Sequence, residues 1–422
     1  MNTVFTNTLK PGMIFSAPVY MEAGNMLVAA QIPLRQKEMD LLFNLRIETV
    51  TTEGAIVNSG TEIAGIDEIT EIAEIPDVDV NDIFNNFIDD FAEEEELAVA
   101  VEEFPPLKMG AVKFSISEVQ QNTPSYRAYR NLIDKLDSVF TNMSKGVDIE
   151  MRYIDNIGTQ LLQELHDHKD SFIDFILGGE ISGQELAKSS VNTAILSALT
   201  AQEFRLPNHK ILHIVAGALV HDIGMLRLSR GIRDKKGGLS PAELEQIKSH
   251  PLHSSKIVTK ELFGPHEVNL IALQHHERWD GKGYPDHIAG PAIDMGARIV
   301  SVADAFEAMV SKKSFRSSMG GYEAVKNLLA DNSRRFDPAV LLIFTKIMGI
   351  YPIGSIVRLN DNSVARVVKI NSDAPIRPTI QMIIDAAGKV LKPGEGQTLD
   401  LLTVKGLFIK TAIDPAEFAE KK

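Results

Sequence analysis

Apolar residues recur at Tyr129, Leu132, Ile133, Leu136, Val139, Phe140, Met143, Val147, Met151, Ile154, Ile157, Leu161 and Leu165. Steps of three and four residues put them on one face of a helix, so the pattern predicts long helices with one buried stripe. Gly146 and Gly158 interrupt it. Two uses of the stripe stay open: a coiled-coil seam joining a homodimer, or packing against the domain that follows. A denser apolar run from Ile211 to Val220, broken by His213, and another from Ala297 to Lys312 read as further helices.

The two ends of the chain follow a different pattern. Leu9 to Met13 (LKPGM), the run Ala17 to Tyr20, the turn Glu22 to Asn25 and the run Met26 to Ala30 predict short strands, followed by one helix over Leu34–Leu45. After Tyr351, PIGSIVRLNDN and VARVVKI again look like strands. The expected class is mainly α, with a small β-containing domain before the helical core and a short β extension after it. The divisions are 1–66, a segment 67–107, a helical connector 108–180, the core domain 181–350 and the extension 351–422.

Charge sharpens the division. The net charge is −14, but Asp67 to Leu107 holds 15 Asp and Glu and no Lys or Arg; without it, 42 acids face 43 bases. That segment, with AEEEE at Ala92–Glu96 and Pro105-Pro106 at its end, reads as an acidic linker. A short amphipathic helix through Ile83, Phe84, Phe87, Ile88 and Phe91 is the other reading. The near-neutral remainder can hold a local phosphate site, whereas a nucleic acid polymer is not expected, since no basic stripe exists to release counterions. No signal sequence or membrane-length apolar run is found, so a cytoplasmic protein is expected.

The absence of cysteine excludes disulfides and thiolate ligands, leaving imidazole, carboxylate and water for any metal. Such ligands suit iron or manganese. The candidates fall in order: His221-Asp222, His250, His275-His276 and Asp304. An adjacent His-Asp pair can serve one metal or bridge two, and by itself is a weak signal. Asp304 stands among Ile299, Val302, Ala303, Phe306 and Met309, where an unpaired carboxylate would be costly to bury. A metal or a hydrogen-bonded partner must offset that cost.

Taken together, HDIG at His221–Gly224, HHERWDGKGYP at His275–Pro285 and Val302-Ala303-Asp304 resemble the HD-GYP family of cyclic di-GMP phosphodiesterases. The resemblance is strong over 185–350. It implies an all-helical core holding two or three divalent ions through His221, Asp222, His250, His275, His276 and Asp304, with Asp222 and Asp304 the catalytic carboxylates. It implies cyclic di-GMP as substrate, opened to linear pGpG and onward to GMP, and a diguanylate cyclase (GGDEF) domain as partner. Gly283, Tyr284 and Pro285 would contact the guanine nucleotide, with Lys313 and Arg316 on its phosphates. The first 66 residues would be an input or interaction domain.

Two departures stand out. Ser189 occupies the family's first histidine ligand position, and Met225 replaces a lysine expected near the substrate phosphate. Glu185, one helical turn before Ser189, is either a substitute ligand or a solvent-facing glutamate. The competing outcomes are an active phosphodiesterase, a regulator that binds cyclic di-GMP or a cyclase without turnover, and a hydrolase of another cyclic nucleotide.

Overall fold

The computed structural model describes strand segments and a few neighbouring residues between 2 and 58. From 123 to 413 it describes all but 179–183, 234, 236, 312–319, 331–333, 372–373 and 393–394. The helix expected over Leu34–Leu45, the acidic segment, and Lys313 and Arg316 lie outside the described residues. The chain forms two units, Met1–Thr70 and Glu71–Lys422.

The first unit carries β1 (Asn2–Phe5), β2 (Ile14–Phe15), β3 (Val19–Tyr20), β4 (Met26–Val28), β5 (Thr49–Thr52) and β6 (Ile56–Asn58). They form an antiparallel sheet in the order β1-β5-β3-β4 and a separate β2–β6 pair. Phe15, Val19 and Val50 are buried in it. Strands were expected at this end of the chain.

The second unit opens with α1 (Pro124–Ser144) and α2 (Met151–Gly178). Thr123 caps α1 by accepting from the Tyr126 amide at 3.2 Å, and Pro124 suits the first turn, where an amide proton has no helical partner. Gly146, at φ +78°, turns the chain out of α1. Val147 is therefore exposed, while every other residue of the predicted stripe is buried. The Tyr129 ring lies 5.9 Å from Phe172 and 5.5 Å from Phe175. The stripe shares one core with the helices that follow, so it serves the second of its two readings.

Those helices are α3 (Glu185–Glu203), α4 (Asn208–Val220), α5 (Pro241–Lys248), α6 (His250–Lys260), α7 (His266–Gln274), α8 (Met295–Val310), α9 (Gly321–Ala330) and α10 (Pro338–Met348), with a 3-10 turn at Ile223–Arg227 after α4. Nearly all of α3 is buried, as befits the central helix. Finally β7 (Ile356–Leu359), β8 (Val364–Lys369), β9 (Thr379–Ile384), β10 (Thr398–Asp400) and β11 (Ile409–Ile413) form an antiparallel sheet ordered β10-β9-β8-β7-β11. Arg366 on β8 pairs with Asp174 on α2 at 2.9 Å, tying the sheet to the helices. The class is mainly helical with β structure at both ends. Among the described residues no helix is long and apolar enough to cross a membrane.

Candidate metal centre

The six expected ligands come from helix ends and one helix middle. His221 caps the C-terminus of α4, His250 begins α6, His275 caps α7 with His276 next, and Asp304 lies within α8. Helix ends carry carbonyls without helical partners, and three of the imidazoles use them. Nδ1 of His221, His250 and His275 lies 2.7, 2.7 and 3.0 Å from the carbonyl oxygens of Ala218, Ile247 and Ala272, each three residues back. A carbonyl can only accept, so each Nδ1 carries the proton and each Nε2 offers a lone pair.

Those lone pairs converge. His250 Nε2 is 3.2 Å from His275 Nε2 and 2.9 Å from Asp222 Oδ1, and His275 Nε2 is 3.8 Å from the same oxygen. One ligand atom from each of Asp222, His250, His275 and His276 fits within 4.8 Å of the others. The second Asp222 oxygen is 3.5 Å from His221 Nε2, which stands 3.6 Å from Asp304 Oδ1. Asp222 thus presents one oxygen to the histidine group and one to His221 and Asp304. His221 Nε2 is buried with no hydrogen-bond partner. Acceptors facing acceptors in a buried pocket repel unless a cation lies between them. The donor set therefore fits a divalent metal held by nitrogen and oxygen.

The protonation equilibria agree with this. Burial, with the neighbouring imidazoles, pushes His275 well below its usual range and His276 down to about 3, which keeps both neutral. Burial also opposes charge on His221, but the Asp222 and Asp304 carboxylates outweigh it and raise that group to about 9. Burial alone would raise Asp222 and Asp304, yet His221 and, for Asp222, His250 hold both below the ordinary carboxylate range. Without a metal, then, His221 takes up a proton as a stand-in cation.

Two glycines bring the parts together. A Cβ on Gly224 would lie 2.1 Å from the His250 carbonyl and 2.6 Å from the Ser254 amide. The Gly224 amide donates to Ser254 Oγ at 2.8 Å. This close approach seats the turn after His221-Asp222 against the start of α6. A Cβ on Gly283 would lie 2.4 Å from the Arg278 amide nitrogen, so the GYP loop folds back on its own stem.

The loop places the half-buried Tyr284 ring 4.8 Å from His276. Its tether is Glu277, a buried residue whose Oε1 accepts from the Asp286 amide at 2.6 Å and the His287 amide at 3.0 Å. Burial raises the Glu277 carboxyl above its usual range despite these bonds. In the sequence this glutamate stands only as the last letter of HHE, with no role assigned to it.

The departures resolve differently. Ser189 Oγ donates to Glu307 Oε2 at 2.6 Å, and Glu307 Oε1 accepts from Asn192 Nδ2 at 3.2 Å and from the Ser311 hydroxyl. Asn192 Oδ1 in turn accepts from the Tyr129 hydroxyl at 2.7 Å. Ser189 is therefore engaged with a buried carboxylate. Like Asp304, Glu307 is an acid inside an apolar helix, three residues on, and its burial carries the same cost unless it is partnered. Glu185 is exposed in the first turn of α3 and does not belong to the four-residue group. Met225 is half-buried in the 3-10 turn after Asp222.

Residues 181–340 match the family described as HD domain, and residues 356–421 the one described as KOW domain associated with HD domain. The chain is 29% identical over 309 residues to "Cyclic di-GMP phosphodiesterase PdeB" of Borreliella burgdorferi, covering 73% of this chain and 81% of that protein. It is 26% identical over 264 residues to "Cyclic di-GMP phosphodiesterase PA4108" of Pseudomonas aeruginosa, covering 63% of each. Other relatives are named as 3′3′-cGAMP-specific phosphodiesterases. Among solved structures, an HDG"Y"P protein from Bdellovibrio bacteriovorus aligns at TM-score 0.44 and 15% identity over 82% of this chain and 98% of that one.

Proposed function

Since the chain belongs to the HD-domain metal phosphohydrolases, with a KOW-like C-terminal region and close relation to the HD-GYP phosphodiesterases, we propose that it hydrolyses cyclic di-GMP. The products are linear pGpG and then GMP. The observation that carries this reading is the convergence of imidazole Nε2 atoms and the two faces of Asp222 beside the Tyr284 loop. His250, His275 and His276 would hold one ion, His221 and Asp304 a second, and Asp222 both, with iron or manganese the metals that suit this set. When bound, such ions supply Lewis-acid polarisation of a phosphodiester and lower the pKa of water toward neutrality.

The protein's own groups do the rest. The backbone carbonyls behind Nδ1 keep the imidazoles oriented, and Asp222 and Asp304 remain ionised at the reacting end. Tyr284 offers the face of its ring to a guanine, with Gly283 and Pro285 shaping the loop around it. Lys313 and Arg316 are assigned to the phosphates from the family resemblance. A GGDEF domain is the proposed protein partner, and the cytoplasm the proposed location.

A second reading, a regulator that binds the dinucleotide without turnover, is favoured by Ser189, whose hydroxyl is bonded to Glu307, and by the uncharged Met225. One experiment separates the two. Metal-loaded protein is incubated with cyclic di-GMP and with 3′3′-cGAMP and the mixture is chromatographed for linear product. Linear pGpG is expected; binding of cyclic di-GMP with no product would establish the regulator, and product from 3′3′-cGAMP alone would reassign the substrate.

A further inference from the structure

An anionic dinucleotide entering this site meets the carboxylates of Asp222 and Asp304, and Met225 contributes no charge. The metal ions would answer the phosphate seated among them, and the other phosphate would lie beyond their direct reach. Arg335 stands on the segment bonded to the stem of the GYP loop. The carbonyls of Arg334 and Arg335 accept from the amides of Asp280 and Trp279, both at 2.9 Å. The chain entering α10 is thus bonded to the stem of the GYP loop and keeps a fixed relation to it.

The exposed Arg335 side chain lays its guanidinium over the buried Phe336 ring, 4.9 Å from the centroid. This face contact leaves the edge N–H donors free for a ligand. Two arginines of the loop and of α8 are committed, Arg278 to Asp280 at 2.9 Å and Arg298 to Asp337 at 3.0 Å. Among the described residues no carboxylate pairs with Arg335. Its charge acts on the neighbouring His276 and Tyr284 rings.

We propose that Arg335 is a substrate-binding residue which takes the second phosphate of the cyclic dinucleotide, the one not undergoing hydrolysis. The inference rests on the functional reading above and deepens it. A cyclic dinucleotide has two phosphodiesters on opposite sides of its ring, so seating one among the histidines and carboxylates turns the other outward. A guanidinium meets a phosphate with two parallel hydrogen bonds, which a lysine ammonium reproduces only in part.

The test compares Arg335→Gln and Arg335→Lys with the unaltered protein for metal content, circular dichroism and the KM and kcat of cyclic di-GMP hydrolysis, with Kd replacing KM if turnover is absent. Losing a charge-assisted bond should raise KM about 10- to 100-fold in Arg335→Gln. kcat and metal content should change little, and Arg335→Lys should recover part of the loss. Bis(p-nitrophenyl) phosphate, which has a single phosphate, should suffer a several-fold smaller loss. Equal losses for both substrates, an unchanged KM, or loss of metal from both variants would each overturn the assignment. If the unaltered, metal-loaded protein neither binds nor hydrolyses cyclic di-GMP, the functional reading fails and takes this inference with it. If it does so and Arg335→Gln matches it, the role of Arg335 alone is refuted.

Discussion

The Nε2 atoms of His221, His250 and His275 are aimed by Nδ1 hydrogen bonds to helix-end carbonyls, so much of the site is assembled from local geometry before any metal arrives. The ligand types were legible in the sequence because few residues can serve a cysteine-free metal site, and HD, HHE and VAD put them in order. Their convergence was not, since His221 and His275 meet only after the helices pack. Replacing His275 and His276 together by alanine removes two neutral donors from one group, and elemental analysis should find most of the metal gone; full retention would mean that the ions bind elsewhere. A second prediction concerns the metal-free protein. His221, raised from its ordinary 6.5 to about 9, contributes stability that is present below pH 6.5 and lost as pH rises through 9. His276, lowered to about 3, and His275, also lowered, act in the opposite sense, because the unfolded chain takes up their protons first as pH falls below 6.5. Melting temperatures in a chelator should therefore peak near pH 6.5, and His221→Gln should flatten the alkaline side. A melting temperature that climbs steadily to pH 9 would contradict this.

Between elements, the junction of α3 with α8 depends on the buried Glu307 carboxylate. Ser189 and Glu307 are 118 positions apart, and no periodicity within either helix could pair them. Serine is a poor replacement for an imidazole ligand. The fold shows instead a hydroxyl bonded to Glu307, in a chain of contacts running through Asn192 to Tyr129 on α1. Removing an acceptor that serves several donors leaves each of them unpaired, at about 1–3 kcal/mol for a fully buried group. Glu307→Ala should accordingly lower the unfolding free energy by about 2–4 kcal/mol and Ser189→Ala by about 1 kcal/mol, measured by urea denaturation of the metal-free protein. Asp304 lies one turn before Glu307 on the same helix, so Glu307→Ala should also reduce metal affinity. If the two variants are equally stable, Glu307 is not the hub of the junction.

Over the whole molecule, the strand patterns at both ends were readable because alternation and turn residues are local. How the C-terminal strands attach was not readable, because attachment depends on which apolar faces meet. Val357, Leu359, Ala365, Val367, Ile380, Leu401 and Ile409 lie in the same buried cluster as the stripe of α1 and α2 and the ligand-bearing helices. The sheet is therefore part of the metal domain's core, reinforced by the pair between Arg366 on its central strand and Asp174 on α2. Each large apolar side chain contributes about 1.5–3 kcal/mol when fully buried, so these residues supply on the order of 10 kcal/mol, as much as the whole net stability of an ordinary domain. A chain ending at Ile350 would expose their helical partners, and should be recovered aggregated or without cooperative unfolding and with little metal. In the full chain, residues 123–413 should melt in a single calorimetric transition. A chain shortened to residue 350 that melts as cooperatively and as high as the full protein would show that the sheet is an independent appendage and that the shared core contributes little.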